Sequence, residues 1–191
     1  MASCFAMSAT EAMLSPDEYI AGELKSEIRH EYLAGRVYAM AGASLSHNLI
    51  AGNFFLEIAT HLRGKKCQVF ASDMKIHLQD QGDNWFYYPD VMVNCDPAGQ
   101  QRYFCETPSV IIEVLAPDTE RTDRREKLLA YQRLASLQTY ILADREKREI
   151  TVYERVSGGW EKSILTQDAT LTIPSLDFSI SLDALYARTD L

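Results

Sequence analysis

The spacing of apolar residues changes character several times along the chain. Ser15 followed by Pro16, Asp17 and Glu18 predicts a helix start: a capping hydroxyl, proline in the first turn, and acids at the positive end of the helix dipole. Two β-prone runs, residues 30–33 and 36–40, are split by Ala34-Gly35 and predict a hairpin. Ser46 is the expected cap of the clearest helix, about residues 47–63. There Ile50, Phe54, Ile58 and Leu62 recur every four residues, Leu49 and Phe55 widen the stripe, and Gly64 stops it.

From Cys67 the period becomes two. Phe70, Met74, Ile76 and Leu78 share one face of a predicted strand, and Asp73, Lys75 and His77 share the other. The polar stretch 79–84 predicts a turn, and residues 85–95 a second strand with an edge or bulge at Pro89. Residues 109–115 are almost wholly apolar, as in a strand covered on both faces, and Pro117 ends them. Asp123, with Glu126 three residues on, is the expected cap of a basic helix reaching Ala135. Residues 139–143 read as a short buried strand. Residues 149–155 and 160–165 flank Ser157-Gly158-Gly159 as a hairpin, and the chain closes with a strand and a helical turn near residues 182–186. The expected fold is α/β: a mixed β-sheet flanked by helices, with additional β-hairpins. No repeat or linker divides it, so residues 1–14 read as a flexible tail and residues 15–191 as one domain.

Composition narrows the function classes. Apolar residues make up 47% and charged residues 24%, a soluble globular balance that excludes a disordered or fibrous chain. The net charge of −8 argues against indiscriminate coating of nucleic acid, which needs a broad basic face. It does not argue against an enzyme whose carboxylates hold metal. No apolar run approaches the ~18 residues of a membrane span, and no basic region precedes Glu11 as a secretory signal requires. Cys4, Cys67, Cys95 and Cys105 lack CxxC spacing and are expected to be reduced, buried thiols of a cytoplasmic protein.

The candidate chemistry lies in carboxylates that a structural strand would not carry. Glu113 sits within Val110-Ile111-Ile112-Glu113-Val114-Leu115, and Asp90 within Pro89-Asp90-Val91-Met92-Val93. An unpaired charge in such surroundings costs several kcal/mol, so each acid must be paired, protonated or bound to metal. Two acids from neighbouring β segments can converge on one hard cation such as Mg²⁺, which prefers carboxylate oxygens. The competing reading of each is a salt bridge to a nearby Arg or Lys. Lys127, Tyr131 and Leu134 fall on one helical face, so Lys127 can point its ammonium toward the mouth of the sheet; the competing reading is a solvated lysine among Arg121, Arg124 and Arg125. Arg121, Arg124 and Arg125 read as phosphate contacts or plain surface. Glu31 can supply a third carboxylate or pair with Arg29 or Arg36. His47 is either a hydrogen-bonded core or cap residue or a contact to substrate phosphate. Asp73 and Lys75 are further candidates to line the site. No zinc-protease motif, P-loop, GxGxxG or Gly-x-Ser-x-Gly elbow is present.

Pro89-Asp90 followed by Glu113-Val114-Leu115 resembles the PD-(D/E)xK nuclease signature, with leucine where that signature has lysine. The ordered set of words around it narrows the match: Arg29 to Gly35, Ser46-His47, Pro89-Asp90-Val91, Ile112 to Thr119, Asp123 with Lys127 and Tyr131, and Thr139 to Asp144. Together they resemble the Uma-type restriction endonuclease family over nearly all of residues 16–187. The resemblance implies a restriction-endonuclease-like fold and a Mg²⁺-dependent hydrolase cutting phosphodiester bonds of DNA, with Mn²⁺ as a substitute. It implies that Asp90, Glu113 and the Val114 carbonyl bind metal, that Lys127 takes over the missing lysine's role, and that Glu31 joins them. His47, Arg124 and Arg125 would meet substrate, and a homodimer is a further expectation. Because Leu115 stands at the lysine position, a catalytically degenerate nucleic-acid binder or a non-enzymatic assembly protein of the same fold are the competing readings.

Overall fold

In the computed structural model, which describes residues 13–40, 42–116 and 122–191, Ser15 opens helix α1 (Pro16–Glu23) with a complete capping box. Its hydroxyl accepts from the Glu18 N–H at 3.3 Å, and the Glu18 carboxylate accepts from the Ser15 N–H at 2.8 Å. The expected hairpin follows as β1 (His30–Leu33) and β2 (Arg36–Ala39), turned through Ala34 and Gly35, both at positive φ. Gly35 is required twice over, because a Cβ there would meet Met13 Cε at 2.6 Å. Most of the expected tail, residues 1–12 with Cys4, lies outside the described residues, as do residues 117–121 with Pro117 and Arg121. Leu14 is fixed: its N–H donates to Gly35 and its carbonyl accepts from the Tyr32 hydroxyl.

The long helix α2 (Leu45–His61) is capped by Ser44 rather than Ser46; the Ser44 hydroxyl accepts from the His47 N–H at 3.3 Å. Both serines precede the apolar stripe, so the pattern alone cannot choose between them. Ser44→Ala should lower stability by about 1 kcal/mol and Ser46→Ala by less, read from urea unfolding.

The largest departure from the sequence reading concerns the period-two runs. The run starting near Cys67 is two strands, β3 (Gln68–Ala71) and β4 (Lys75–Asp80), and the run from Trp85 is also two, β5 (Asp83–Tyr87) and β6 (Val91–Asn94). In each case the chain leaves one sheet for another. With β7 (Phe104–Cys105), the strands β4 and β5 join the hairpin in a five-stranded sheet of order β2-β1-β5-β4-β7. With β8 (Pro108–Leu115), β9 (Thr139–Asp144), β10 (Glu149–Val156) and β11 (Gly159–Thr166), the strands β3 and β6 form a six-stranded sheet of order β11-β10-β9-β8-β6-β3. Pro89 therefore marks a crossing between sheets, where its missing N–H costs no ladder hydrogen bond.

Strand β8 alternates between two cores. Val110, Ile112 and Val114 face Ile50, Phe54 and Ile58 of α2, together with the C-terminal hairpin β12 (Thr170–Ile173) and β13 (Phe178–Ser181) and the turn α4 (Leu182–Leu185). Ile111 and Leu115 face Ile76, Leu78 and Tyr87 of the five-stranded sheet, with Tyr131 and Tyr140 between. One face of the six-stranded sheet is thus covered by a helix, and the other mainly by a second sheet. The basic helix expected from Asp123 to Ala135 is shorter: a π-helical turn over Thr122–Lys127 runs into α3 (Leu128–Tyr131). Asp123 lies within that turn instead of capping it. Widened turns of this kind commonly occur at functional sites.

Cys67 and Cys95 form a disulfide, correcting the expectation of reduced thiols. They flank the terminal Gln68↔Asn94 pair of β3 and β6, so antiparallel pairing carries them to the next cross-strand position despite 28 residues of separation. Cys105 is a free buried thiol, its pKa pushed up to about 11 by burial. Among the described residues, no helix is long and apolar enough to cross a membrane.

Candidate active site

The β6–β8 register pairs Val91 with Ile112 and Met92 with Ile111, which brings Asp90, the residue before β6, to the end of β8 that carries Glu113 and Val114. There the ladder changes partners: the Val114 N–H donates to Asp90 Oδ2 at 2.7 Å. From the first turn of α2, His47 Nε2 reaches the same oxygen at 3.2 Å, while its buried Nδ1 has no hydrogen-bond partner among the described residues. The Asp90 carboxylate is held from both sides.

Glu113 is 3% exposed and accepts at one oxygen, Oε1, from Lys127 Nζ and from the Tyr131 hydroxyl, each at 3.1 Å. Lys127, also buried, has Glu31 Oε1 at 3.1 Å and Asp123 Oδ1 at 3.3 Å as further partners. The i,i+4 relation places Asp123 and Lys127 together, and the Asp123 carbonyl accepts from the fully buried Tyr140 hydroxyl. Glu31 arrives from β1 and is anchored by the Tyr88 N–H at 3.3 Å. In turn, the Tyr88 hydroxyl donates to Glu23 and accepts from Lys75.

Electrostatics follow from this crowding. Burial pushes the Glu113 carboxyl well above the ordinary carboxylate range; Lys127 pulls it down, while Asp123, Asp90 and Glu31 add to the rise. For Lys127, burial acts to lower the pKa, but Glu113, Glu31 and Asp123 together outweigh it and hold the ammonium well above the usual lysine value. The three acids thus favour the charged form of Lys127, which donates to Glu113.

The structure gathers Asp90, Glu113, Lys127, Glu31 and the Val114 peptide, with His47 behind Asp90. Arg124 and Arg125 sit on the turn between Asp123 and Lys127, Arg125 exposed. Two weaker candidates point elsewhere: Asp73 pairs with Arg29 at the surface, and Lys75 serves Tyr88. Sequence reasoning missed the role of Asp123, which it read as a helix cap. It also did not identify Tyr131 and Tyr140 as donors, although Tyr131 lies four residues after Lys127 on the same face.

Among the described residues, no group of three or more His, Cys, Asp or Glu side chains stands as a ready metal-ligand set; the Lys127 ammonium holds three of the acids about itself. The donor chemistry nevertheless fits a hard cation. Among the described residues, the hydrogen bonds to these two carboxylates fall on Asp90 Oδ2 and Glu113 Oε1, leaving one oxygen of each for another partner. Three acids share the Lys127 ammonium and Asp90 adds a fourth carboxylate nearby, negative charge that a divalent ion would offset.

The family described as "Putative restriction endonuclease" (Uma2) matches residues 16–184, nearly the whole described chain. The chain belongs to the Uma2 family. Among curated proteins, the Uma2 chain is 34% identical over 182 residues to the uncharacterized protein slr1290 of Synechocystis sp. (strain ATCC 27184 / PCC 6803 / Kazusa), covering 94% of each. It is also 27% identical over 151 residues to the uncharacterized protein sll1609 of the same strain, covering 78% of this chain and 84% of that one. Its fold is similar to a crystal structure described as a "putative nuclease belonging to DUF820" from Anabaena variabilis ATCC 29413, with TM-score 0.71 and 20% identity over 91% of this chain and 98% of that one. The mixed α/β architecture is therefore the restriction-endonuclease-like fold that the sequence words implied.

Proposed function

We propose that this Uma2 chain is a Mg²⁺-dependent endonuclease that hydrolyses phosphodiester bonds of DNA, with Mn²⁺ as a working substitute. The observation that carries the reading is the meeting of two carboxylates at one end of β8, Asp90 on the Val114 N–H and Glu113 on a buried ammonium. Asp90, Glu113 and the Val114 carbonyl would hold the metal, whose chemistry when bound is to polarise a phosphoryl oxygen and acidify a bound water.

The chain's own residues do the rest. His47 and the Val114 N–H fix the Asp90 carboxylate, so its free oxygen has one orientation. Tyr131 and Lys127 do the same for Glu113. Lys127, kept protonated by Glu31 and Asp123, offers charge and a hydrogen bond to a phosphate whose negative charge grows in the transition state. It replaces the electrostatic part of the lysine missing at Leu115. Its position against Glu113, Glu31 and Asp123 keeps the ammonium oriented toward the same end of β8 as Asp90.

With a net charge of −8, DNA is met through a narrow cleft or by a homodimer rather than along a broad basic groove. A second reading, binding without cutting, is favoured by one observation: three carboxylates surround the Lys127 ammonium. Incubating DNA with the protein in Mg²⁺, in Mn²⁺ and in EDTA, beside Asp90→Ala, separates the two. Cleavage that needs metal and Asp90 supports the endonuclease; DNA binding with no product under any metal supports the second reading.

A further inference from the structure

Tyr87 stands between two features. Its ring centroid lies 5.7 Å from Lys127 Nζ, at the wall of the acid cluster. The same residue lines a half-open pocket of about 250 Å³ with Leu33, Leu78, Trp85 and Ala130. Two carboxylates, Asp80 and Glu126, complete the lining, and Arg133, also there, is paired with Asp80. Glu126 directly precedes Lys127, so pocket and cluster are adjacent on one helical turn.

The lining selects its occupant. The volume lies just below the ~300–1,000 Å³ of drug-sized sites and suits one planar heterocycle. Trp85, half-buried, offers an aromatic face on which bases stack irrespective of sequence, while the buried Tyr87 and Leu78 form an apolar floor. With Asp80 held by Arg133, Glu126 is the carboxylate left to accept hydrogen bonds, and it favours a ring with exocyclic amino hydrogens over one edged by carbonyls. Cytosine N4 is a recognised partner of Asp and Glu, whereas thymine turns carbonyl oxygens to them. A base inside a duplex has its faces stacked and its edge paired and cannot enter.

We propose that this pocket receives an unpaired, amino-bearing base, cytosine above thymine, from a single strand whose backbone passes the acid cluster. The inference rests on the endonuclease reading and narrows its substrate to single-stranded or locally opened DNA. The acidic net charge agrees, since a single strand held by one base needs fewer phosphate contacts than a duplex.

The test reads binding apart from cleavage. The chain has two tryptophans, so Trp160→Phe leaves Trp85 as the sole reporter. In EDTA, hexadeoxycytidylate should quench Trp85 and bind roughly tenfold tighter than hexadeoxythymidylate. A duplex hairpin should compete poorly. Glu126→Gln, at an exposed position, should shrink the preference below about threefold. Ala130→Phe, which fills the pocket, should abolish quenching. No quenching by either hexamer, equal affinity for both, or a hairpin that competes as well as the hexamer overturns the proposal. Should Ala130→Phe not fold, the Glu126→Gln comparison decides alone. A protein that shows the cytosine preference yet cuts no DNA in Mg²⁺ keeps the pocket and loses the nuclease; one that cuts duplex DNA without quenching keeps the nuclease and loses the pocket.

Discussion

Lys127→Met should lower folding stability by about 3–5 kcal/mol near pH 8, and by much less near pH 5. Lys127 is buried and shared by Glu113, Glu31 and Asp123 at 3.1, 3.1 and 3.3 Å. Removing one partner of a buried ion pair leaves the other charge uncompensated, and here three acids lose their shared cation. The sign with pH follows from the direction of the shifts. Glu113 already titrates well above the ordinary carboxylate range, because burial disfavours its charge even with Lys127 beside it. Without the ammonium its pKa rises further in the folded state and not in the unfolded one. A raised folded pKa gives stability that is present below the unfolded carboxylate value and lost as pH climbs through the folded one, so the variant's deficit grows with pH. In the wild type, the contribution of Lys127 is fully present below the ordinary lysine pKa, so it is intact at both test values. Urea unfolding followed by far-UV circular dichroism at pH 5 and pH 8 measures the difference. Equal losses at the two pH values, or a loss below about 1 kcal/mol, would show that the acids are solvated and that the cluster does not depend on its ammonium.

The parts of this architecture that local pattern controls were readable from the chain. The capping box at Ser15, the Ala34-Gly35 hairpin turn, the apolar stripe of α2 and the two-sided burial of β8 each follow from residues within a few positions of one another. Glu113 and Asp90 stood out for a related reason, since a carboxylate is costly where its neighbours show that water is excluded. What the pattern could not show is which strands share a sheet. Residues 68–71 and 75–80 keep one alternation of apolar positions across the turn between them, so two strands in two sheets read as one. The Cys67–Cys95 bond stayed hidden because it depends on the pairing of β3 with β6. Asp123 was misread because Asp followed three residues later by Glu is a genuine helix-start signal. A widened turn places that carboxylate beside Lys127 instead, and only tertiary context selects it.

Asp90→Asn should reduce Mg²⁺-dependent DNA cleavage by about 10³-fold or more while leaving the thermal midpoint within a few degrees of wild type. The substitution suits the question because asparagine has nearly the size of aspartate and retains an oxygen to accept from the Val114 N–H, now made at 2.7 Å. What it loses is charge. Asp90 is the one acid of the group not paired with Lys127; it is held by the Val114 N–H and His47, both on its Oδ2, so in the proposed reading its charge serves the metal. Removing it should therefore act on turnover far more than on the fold, and should weaken Mg²⁺ binding measured by calorimetry in the absence of DNA. If Asp90 were instead a structural partner of His47, the same change would lower the midpoint and leave any cleavage close to normal. Asp73→Asn supplies the control, because Asp73 is exposed and paired with Arg29 at the surface, where such pairs contribute little. Cleavage by Asp90→Asn within about tenfold of wild type, with the Asp73 control unchanged, would remove Asp90 from the metal site and with it the role assigned to its meeting with Glu113.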